Sequence, residues 1–221
     1  MDIQGKPMVI RVAERCVEAI GHDLVLVSTP DLEIRDACEK HGIQSIASSS
    51  SCESGTDRLV EYAQKSNEDF IINVQGDEPM IPTSVILKFY NNAIQLSKTC
   101  IGVSRIFDDK SARSSSVVKT AFSRSRLIYA SREPIPVGSE DGRAIYYKHT
   151  GIYAFTRSDL LIFGNYKRGP LEISENVEIL RLIENGIEVC AIEIPNYGRA
   201  VDTLEDLDFV NKYGKFENQL L

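Results

Sequence analysis

The sequence predicts an α/β protein with a doubly wound, mostly parallel sheet and a small inserted β-rich lobe, and three observations carry that prediction. Short apolar runs alternate with helical patterns from residue 7 to 107, the rhythm of right-handed strand-helix-strand crossovers. The run Phe70-Ile71-Ile72-Asn73-Val74 stops abruptly at the polar Gln75-Gly76-Asp77-Glu78-Pro79, as a buried strand does where it delivers the chain to a turn. From Asp108 the texture changes to Ser-rich and basic loops around shorter strands, and the first rhythm then returns. The expected division is 1–107 as an α/β part, 108–150 as an inserted lobe, and 151–221 as a return to the α/β core.

Taken in order, a first helix is expected from 7 to 20, with Met8, Val12, Cys16 and Ile20 four apart and Gly21 as its stop. A strand over 24–29 follows, then a helix over 31–41 closed by Gly42, and a strand over 43–47. A polar loop, 48–55, leads into a helix over 56–65 and then into the strand at 70–74, expected as the central one. Beyond Pro82 a helix covers 83–96 and a strand 100–107. The middle section holds strands at 117–122, 127–130 and 144–155. A helix over 172–184, a strand over 187–194 and a helix over 203–213 complete the chain.

The composition, 43% hydrophobic and 26% charged over 221 residues, is that of a globular protein able to bury one substantial core. No stretch approaches a membrane span, and Met1-Asp2-Ile3-Gln4 lacks the basic and apolar regions of a signal peptide, so a cytoplasmic location is expected. A net charge of −7 argues against a nucleic-acid face. An acidic protein that handles phosphates needs a cation, and magnesium is the usual one. The five cysteines, at 16, 38, 52, 100 and 190, show no paired close spacing, which argues against a disulfide framework or a zinc site; Cys16 and Cys38 read as small core residues.

Several stretches carry chemistry, each with a plainer explanation beside it. Ligands in open α/β sheets bind beyond the carboxyl ends of strands, so Gln75, Asp77 and Glu78 are expected to line a crevice, with Asp77 offering hard oxygen ligands to magnesium; the plainer reading is a solvated loop. Ser54-Gly55-Thr56-Asp57-Arg58 sets a small turn before a helix, where free backbone N–H groups attract anions, and Thr56 as an N-cap explains the same residues. Asp202 with Glu205 three residues on has the form of a capping box. His149, Gly151 and Tyr153 share one face of a strand, as a sugar-facing wall or as a structural histidine with its neighbours. Glu172, Glu175 and Glu178 recur every three residues, as a solvated acidic helix face does.

Together these stretches resemble one family. Ser-Gly-Thr-Asp-Arg at 54–58, Asn-Val-Gln-Gly-Asp-Glu-Pro-Met-Ile-Pro at 73–82, Ser-Arg-Glu-Pro-Ile-Pro at 131–136, His-Thr-Gly-Ile-Tyr at 149–153, Pro-Leu-Glu at 170–172 and Val-Asp-Thr at 201–203 are similar to the 3-deoxy-manno-octulosonate (Kdo) cytidylyltransferases, the CMP-Kdo synthetases. The resemblance spans nearly the whole chain. It implies a nucleotide-diphospho-sugar transferase-like fold, with 1–107 binding the nucleotide and 108–150 serving sugar recognition and dimer contact. It further implies transfer of CTP onto the acidic sugar Kdo for lipopolysaccharide, release of pyrophosphate, magnesium as cofactor, and a homodimer.

By the same resemblance Asp77 and Asp202 are the catalytic, magnesium-binding carboxylates. Ser54, Gly55, Thr56 and Arg58 bind the nucleotide, and Gln75, Arg132, His149, Tyr153 and Glu178 hold the sugar. Arg132 suits a sugar carboxylate because a guanidinium grips it through two parallel bonds. The implied chemistry is in-line attack of the sugar's anomeric hydroxyl on the α-phosphorus of CTP. The family's chains open with a strand and an arginine-containing loop ending Pro-Gly-Lys-Pro that wraps the triphosphate. Gly5-Lys6-Pro7-Met8 matches instead a later Gly-Lys-Pro-Met, so the sequence is expected to begin downstream of that loop, and turnover to depend on it. Two other readings stand beside the enzyme: an impaired relative that only binds nucleotide or acidic sugar, and a cytidylyltransferase for another acidic sugar. A dinucleotide oxidoreductase has no Gly-x-Gly-x-x-Gly to support it.

Overall fold

The computed structural model describes residues 1–52, 54–137, 145–198 and 200–214. The elements run β1 (Asp2–Ile3), β2 (Lys6–Pro7), α1 (Met8–Ile20), β3 (Val27–Thr29), α2 (Leu32–Lys40), β4 (Ser45–Ala47), α3 (Gly55–Lys65), β5 (Phe70–Val74), α4 (Thr83–Leu96) and β6 (Cys100–Arg105). There follow α5 (Asp109–Arg113), β7 (Lys119–Ser123), β8 (Arg126–Ser131), β9 (Tyr147–Thr156), α6 (Arg157–Asn165), α7 (Pro170–Glu175), α8 (Leu180–Glu184), β10 (Cys190–Glu193) and α9 (Leu204–Tyr213). The expected start of β9 at 144, residues 138–144 of the expected lobe, and 215–221 of the last segment lie outside the described residues. The chain forms two compact units, Met1–Cys52 with Val74–Lys88 and Tyr197–Leu221, and Glu53–Asn73 with Phe89–Asn196.

In the first unit β1 and β2 make a two-residue hairpin, an element the sequence did not suggest. Its turn places Gln4 and Gly5 at positive φ, 48° and 77°, the turn that matches strand twist and favours glycine at its second position. Arg11 holds the hairpin from α1, its Nε donating to the Ile3 carbonyl at 2.7 Å. Ile3, fully buried, packs with Val201 and Val210. The buried stripe of α1 is Ile10, Val12, Ala13 and Cys16. Met8 and Ile20, expected on that face, are only half-buried. Ile10 and Ala13 meet Cys38 of α2 and Ile43, which leads into β4, and β4 pairs parallel with β3. The strand expected from 24 begins at Val27, because His22–Leu24 closes into a tight 3-10 turn after Gly21.

The second unit holds a six-stranded sheet in the order β5-β9-β6-β10-β8-β7, with β7 also pairing to β9. The α/β class stands, but the pairing is mixed: β6 and β10 are parallel, whereas β6/β9, β7/β8, β8/β10 and β7/β9 are antiparallel. The strands of the expected lobe are the reason, since β7 and β8 fold as a hairpin and join this sheet rather than leaving it. The strand at 70–74, expected as central and buried, ends the order, and only Ile71 of its five residues is buried. Close packing is visible at Gly102 on β6, where a Cβ would come within 2.4 Å of Thr150 Oγ1. The main core gathers Val60 and Ala63 of α3, Ile101 and Val103 of β6, Phe155 of β9, and Leu160 and Phe163 of α6. The helix expected over 172–184 is two helices, parted where Asn176 takes the left-handed conformation at φ 52°.

Candidate functional site

The first unit brings Asp77 and Asp202 together. After Val74 the chain turns twice, with Glu78 N–H donating to the Gln75 carbonyl (3.2 Å) and Ile81 N–H to the Glu78 carbonyl (3.1 Å). These turns leave Gln75 half-buried and carry Glu78 inward to 6% exposure, so Glu78 does not line a crevice as expected. Val201 N–H donates to the Asp77 carbonyl at 2.8 Å, which ties the approach to α9 onto this turn. The N-terminus of α9 is capped by Thr203 and Asp206, each accepting from the other's backbone N–H. That corrects the pairing of Asp202 with Glu205, and it leaves Asp202 exposed with no capping duty.

Electrostatics at this turn fit a hard cation. Burial pushes the Asp77 carboxyl above the usual carboxylate range, and the charge of Asp202 pushes it further. Asp77 Oδ1 is buried with no hydrogen-bond partner, a costly state for a carboxylate oxygen that ligation of a cation would relieve. Asp202 forms no ion pair with a described residue, and among the described residues no cluster of three His, Cys, Asp or Glu is set to hold an ion alone. A cation here would therefore take two protein carboxylates and fill its other positions from phosphate and water, as magnesium does.

In the second unit the Ser54–Arg58 turn opens α3. Ser54, not Thr56, is the cap: its Oγ accepts from Asp57 N–H at 3.1 Å, and Arg58 Nη1 donates back to the Ser54 carbonyl at 3.2 Å. Thr56 is buried, and its N–H donates to Glu178 Oε2 at 3.3 Å. Glu178 thus reaches the nucleotide candidates from the segment between α7 and α8, although the sequence placed it with the sugar residues. The solvated acidic face does not form, because the break at Asn176 sends the three glutamates to different partners. Glu172, 1% exposed, takes Arg181 through two bonds of 2.6 and 2.7 Å. Glu175 accepts from the Tyr129 and Ser131 hydroxyls and from Arg132 N–H.

Arg132 departs most from expectation. Its Nε, Nη1 and Nη2 donate to the carbonyls of Glu175, Ser115 and Asn176, so three of its five guanidinium N–H groups are engaged by backbone. Along β9, His149 stands edge-on to Tyr153 with centroids 4.8 Å apart, and Tyr153 stacks on Phe155, so the expected shared face is present. His149 Nε2 is buried without a partner, and burial pushes the ring down to about 4. The ring is therefore neutral at physiological pH and offers one nitrogen to a ligand hydroxyl.

This predicts a particular acid sensitivity. Unfolded histidine titrates near 6.5, so between about 6.5 and 4 the unfolded chain takes up the proton first. The stability contributed by the neutral ring is complete above that window and is lost as pH falls through it. Melting temperature against pH should fall less steeply between 6.5 and 4 in His149→Phe than in the parent; parallel curves would show that the ring protonates freely in the folded protein.

Sequence reasoning missed Lys119 and Arg181. Both carry a charge inside an apolar run, Val117-Val118-Lys119 and Leu180-Arg181-Leu182, and both are buried. A charge in such a run needs a partner, and that was the available signal.

A cytidylyltransferase family model matches residues 1–192. The 3-deoxy-manno-octulosonate cytidylyltransferase of Elusimicrobium minutum is 34% identical, over 96% of this chain and 89% of its own. That of Escherichia coli is 36% identical, over 92% and 83%. A solved structure of CMP:2-keto-3-deoxy-manno-octonic acid synthetase complexed with CTP superimposes with a TM-score of 0.89 at 34% identity, covering 96% of this chain and 89% of that one.

Proposed function

The chain belongs to the 3-deoxy-manno-octulosonate cytidylyltransferase family and is a nucleotidyltransferase, and on that premise we propose that it joins CTP to the acidic sugar Kdo, giving CMP-Kdo and pyrophosphate for lipopolysaccharide. The observation that carries the reading to this chain's own residues is the buried, unpartnered Oδ1 of Asp77 beside the charge of Asp202. Asp77 and Asp202 hold magnesium, which when bound neutralises charge on phosphate oxygens. Ser54, Gly55, Thr56 and Arg58 serve the nucleotide, with the helix start of α3 favouring negative charge. Gln75, Arg132, His149, Tyr153 and Glu178 serve the sugar: Arg132 through guanidinium N–H groups not given to backbone, His149 through its buried Nε2, Tyr153 by bracing that ring, and Glu178 from beside the nucleotide turn, where its Oε2 accepts from Thr56 N–H. The attacking group is the sugar's own anomeric hydroxyl, so no side chain is needed as a covalent nucleophile. Positioning of the reactants supplies much of the rate.

No helix among the described residues is long and apolar enough to cross a membrane. A cytoplasmic homodimer is part of the proposal, and the family resemblance supports it.

Pyrophosphate release from CTP, magnesium and Kdo tests the reading, and release should require all three. Release with a different acidic sugar in place of Kdo would move the substrate assignment. A folded protein that carries the arginine-containing triphosphate loop, binds CTP and yet releases no pyrophosphate with any acidic sugar would be a binding-only relative.

A further inference from the structure

We propose that Lys119, which touches neither proposed substrate, is the positioning residue for Arg132, fixing that arginine for the sugar. The inference rests on the reading of Arg132 given above.

Lys119 lies where β7 is flanked on both sides, in register with Ser131 of β8 and Lys148 of β9, and it is fully buried. Its ammonium has three protons and three backbone acceptors: the Ser114 carbonyl at 2.8 Å, the Val117 carbonyl at 2.7 Å, and the carbonyl of Arg132 itself. No carboxylate forms an ion pair with it among the described residues. Burial presses the ammonium below the usual lysine value, and the charges of Glu133 and Glu175 oppose that push.

The return on burying a charge here is an interlock. Lys119 gathers the 114–117 turn and the main chain of Arg132 onto one point, while the Arg132 guanidinium donates to Ser115 of the same turn and to Glu175 and Asn176 beyond it. The Arg132 N–H donates to Glu175 Oε2 at 2.9 Å, and Glu175 is held in turn by Tyr129 and Ser131. Both ends of Arg132 are therefore set before any ligand arrives. An apolar side chain would fill the volume of Lys119 but would turn no carbonyl inward, and three part-buried carbonyls would lose their donor. Lys119 thus acts on sugar affinity through Arg132, with no role toward CTP.

The test compares the parent with Lys119→Met, and with Lys119→Gln, which keeps two N–H donors and a polar end where methionine proves too disruptive to fold. Steady-state kinetics with Kdo and CTP are measured beside amide hydrogen exchange at Arg132 and Glu133. The expected result is a loss of about 10- to 100-fold in kcat/KM carried by the KM for Kdo, with the KM for CTP unchanged, a smaller loss in Lys119→Gln, and faster exchange at both amides. A fall in kcat alone, or an equal rise in both KM values, would reduce Lys119 to a general structural part and overturn the proposal. If the parent itself does not turn over Kdo, amide exchange decides alone: unchanged exchange in a folded variant overturns the positioning role, and faster exchange confined to these amides supports it.

Discussion

Asp77→Asn should lower magnesium-dependent pyrophosphate release by about 100-fold or more, on the scale of the several kcal/mol that a bound cation contributes to transition-state charge. The same change should leave the melting temperature equal to the parent's or slightly above it. Asp77 is raised above its ordinary 3.8 by burial first and by Asp202 second, so its stabilising contribution is present below that value and is lost as pH rises through the folded-state value. At neutral pH the ionised carboxyl therefore works against folding, and an isosteric amide removes that cost. A residue that weakens its own fold is a candidate for function rather than for support. Magnesium supplies a readout independent of turnover: it should raise the melting temperature of the parent and not of the variant. A large loss of stability in Asp77→Asn would make the carboxylate structural, and full activity would remove it from the site.

What the sequence made legible follows the physics of each segment. Helices with a periodic apolar face and a clear stop were readable, and α4 lies over 83–96 as expected. Capping was readable only in outline. Thr156-Arg157-Ser158-Asp159 carries the cap of α6, with Thr156 Oγ1 accepting from Asp159 N–H, yet α6 was not expected because it follows β9 with no break. Sheet partnership was not readable, since an alternating strand looks the same in a separate lobe or in the main sheet, and only long-range pairing such as Cys190 with Arg126 decides between them. At the candidate site, Asp77 was suggested by its place beyond a strand end and Asp202 only by the family resemblance, since its own neighbourhood reads as a cap; Thr203 and Asp206 do the capping of α9, which relieves Asp202 of that duty. The exposed acidic stripe failed for one torsional reason, a left-handed Asn176, which no helical periodicity could encode.

Arg181→Met should be among the most destabilising single changes in the second unit, because it strands a carboxylate. Glu172 has 1% of its surface exposed, and Arg181 meets it with both Nε and Nη2 while lying 3.8 Å from the centroid of Phe163. Arg168 Nε at 3.2 Å is the partner that remains, on a side chain 40% exposed. Breaking one side of a buried pair costs about 3–5 kcal/mol, against a total stability of about 5–15 kcal/mol. For a chain of this length that lowers the melting temperature by about 6–20 °C. The pair itself is a different quantity from the cost of breaking it. Glu172→Leu with Arg181→Met removes both charges, and the double variant should recover most of the loss in thermal unfolding. Arg181 Nη1 also lies 3.6 Å from Asp57 in the first turn of α3, so the recovered protein still lacks the charge that holds that turn. The double variant should therefore bind CTP more weakly than the parent at equal stability, which separates what this arginine does for the fold from what it does for the Ser54–Arg58 turn. A double variant as unstable as the single one would show that packing of the arginine stem, not the paired charge, is what the unit needs.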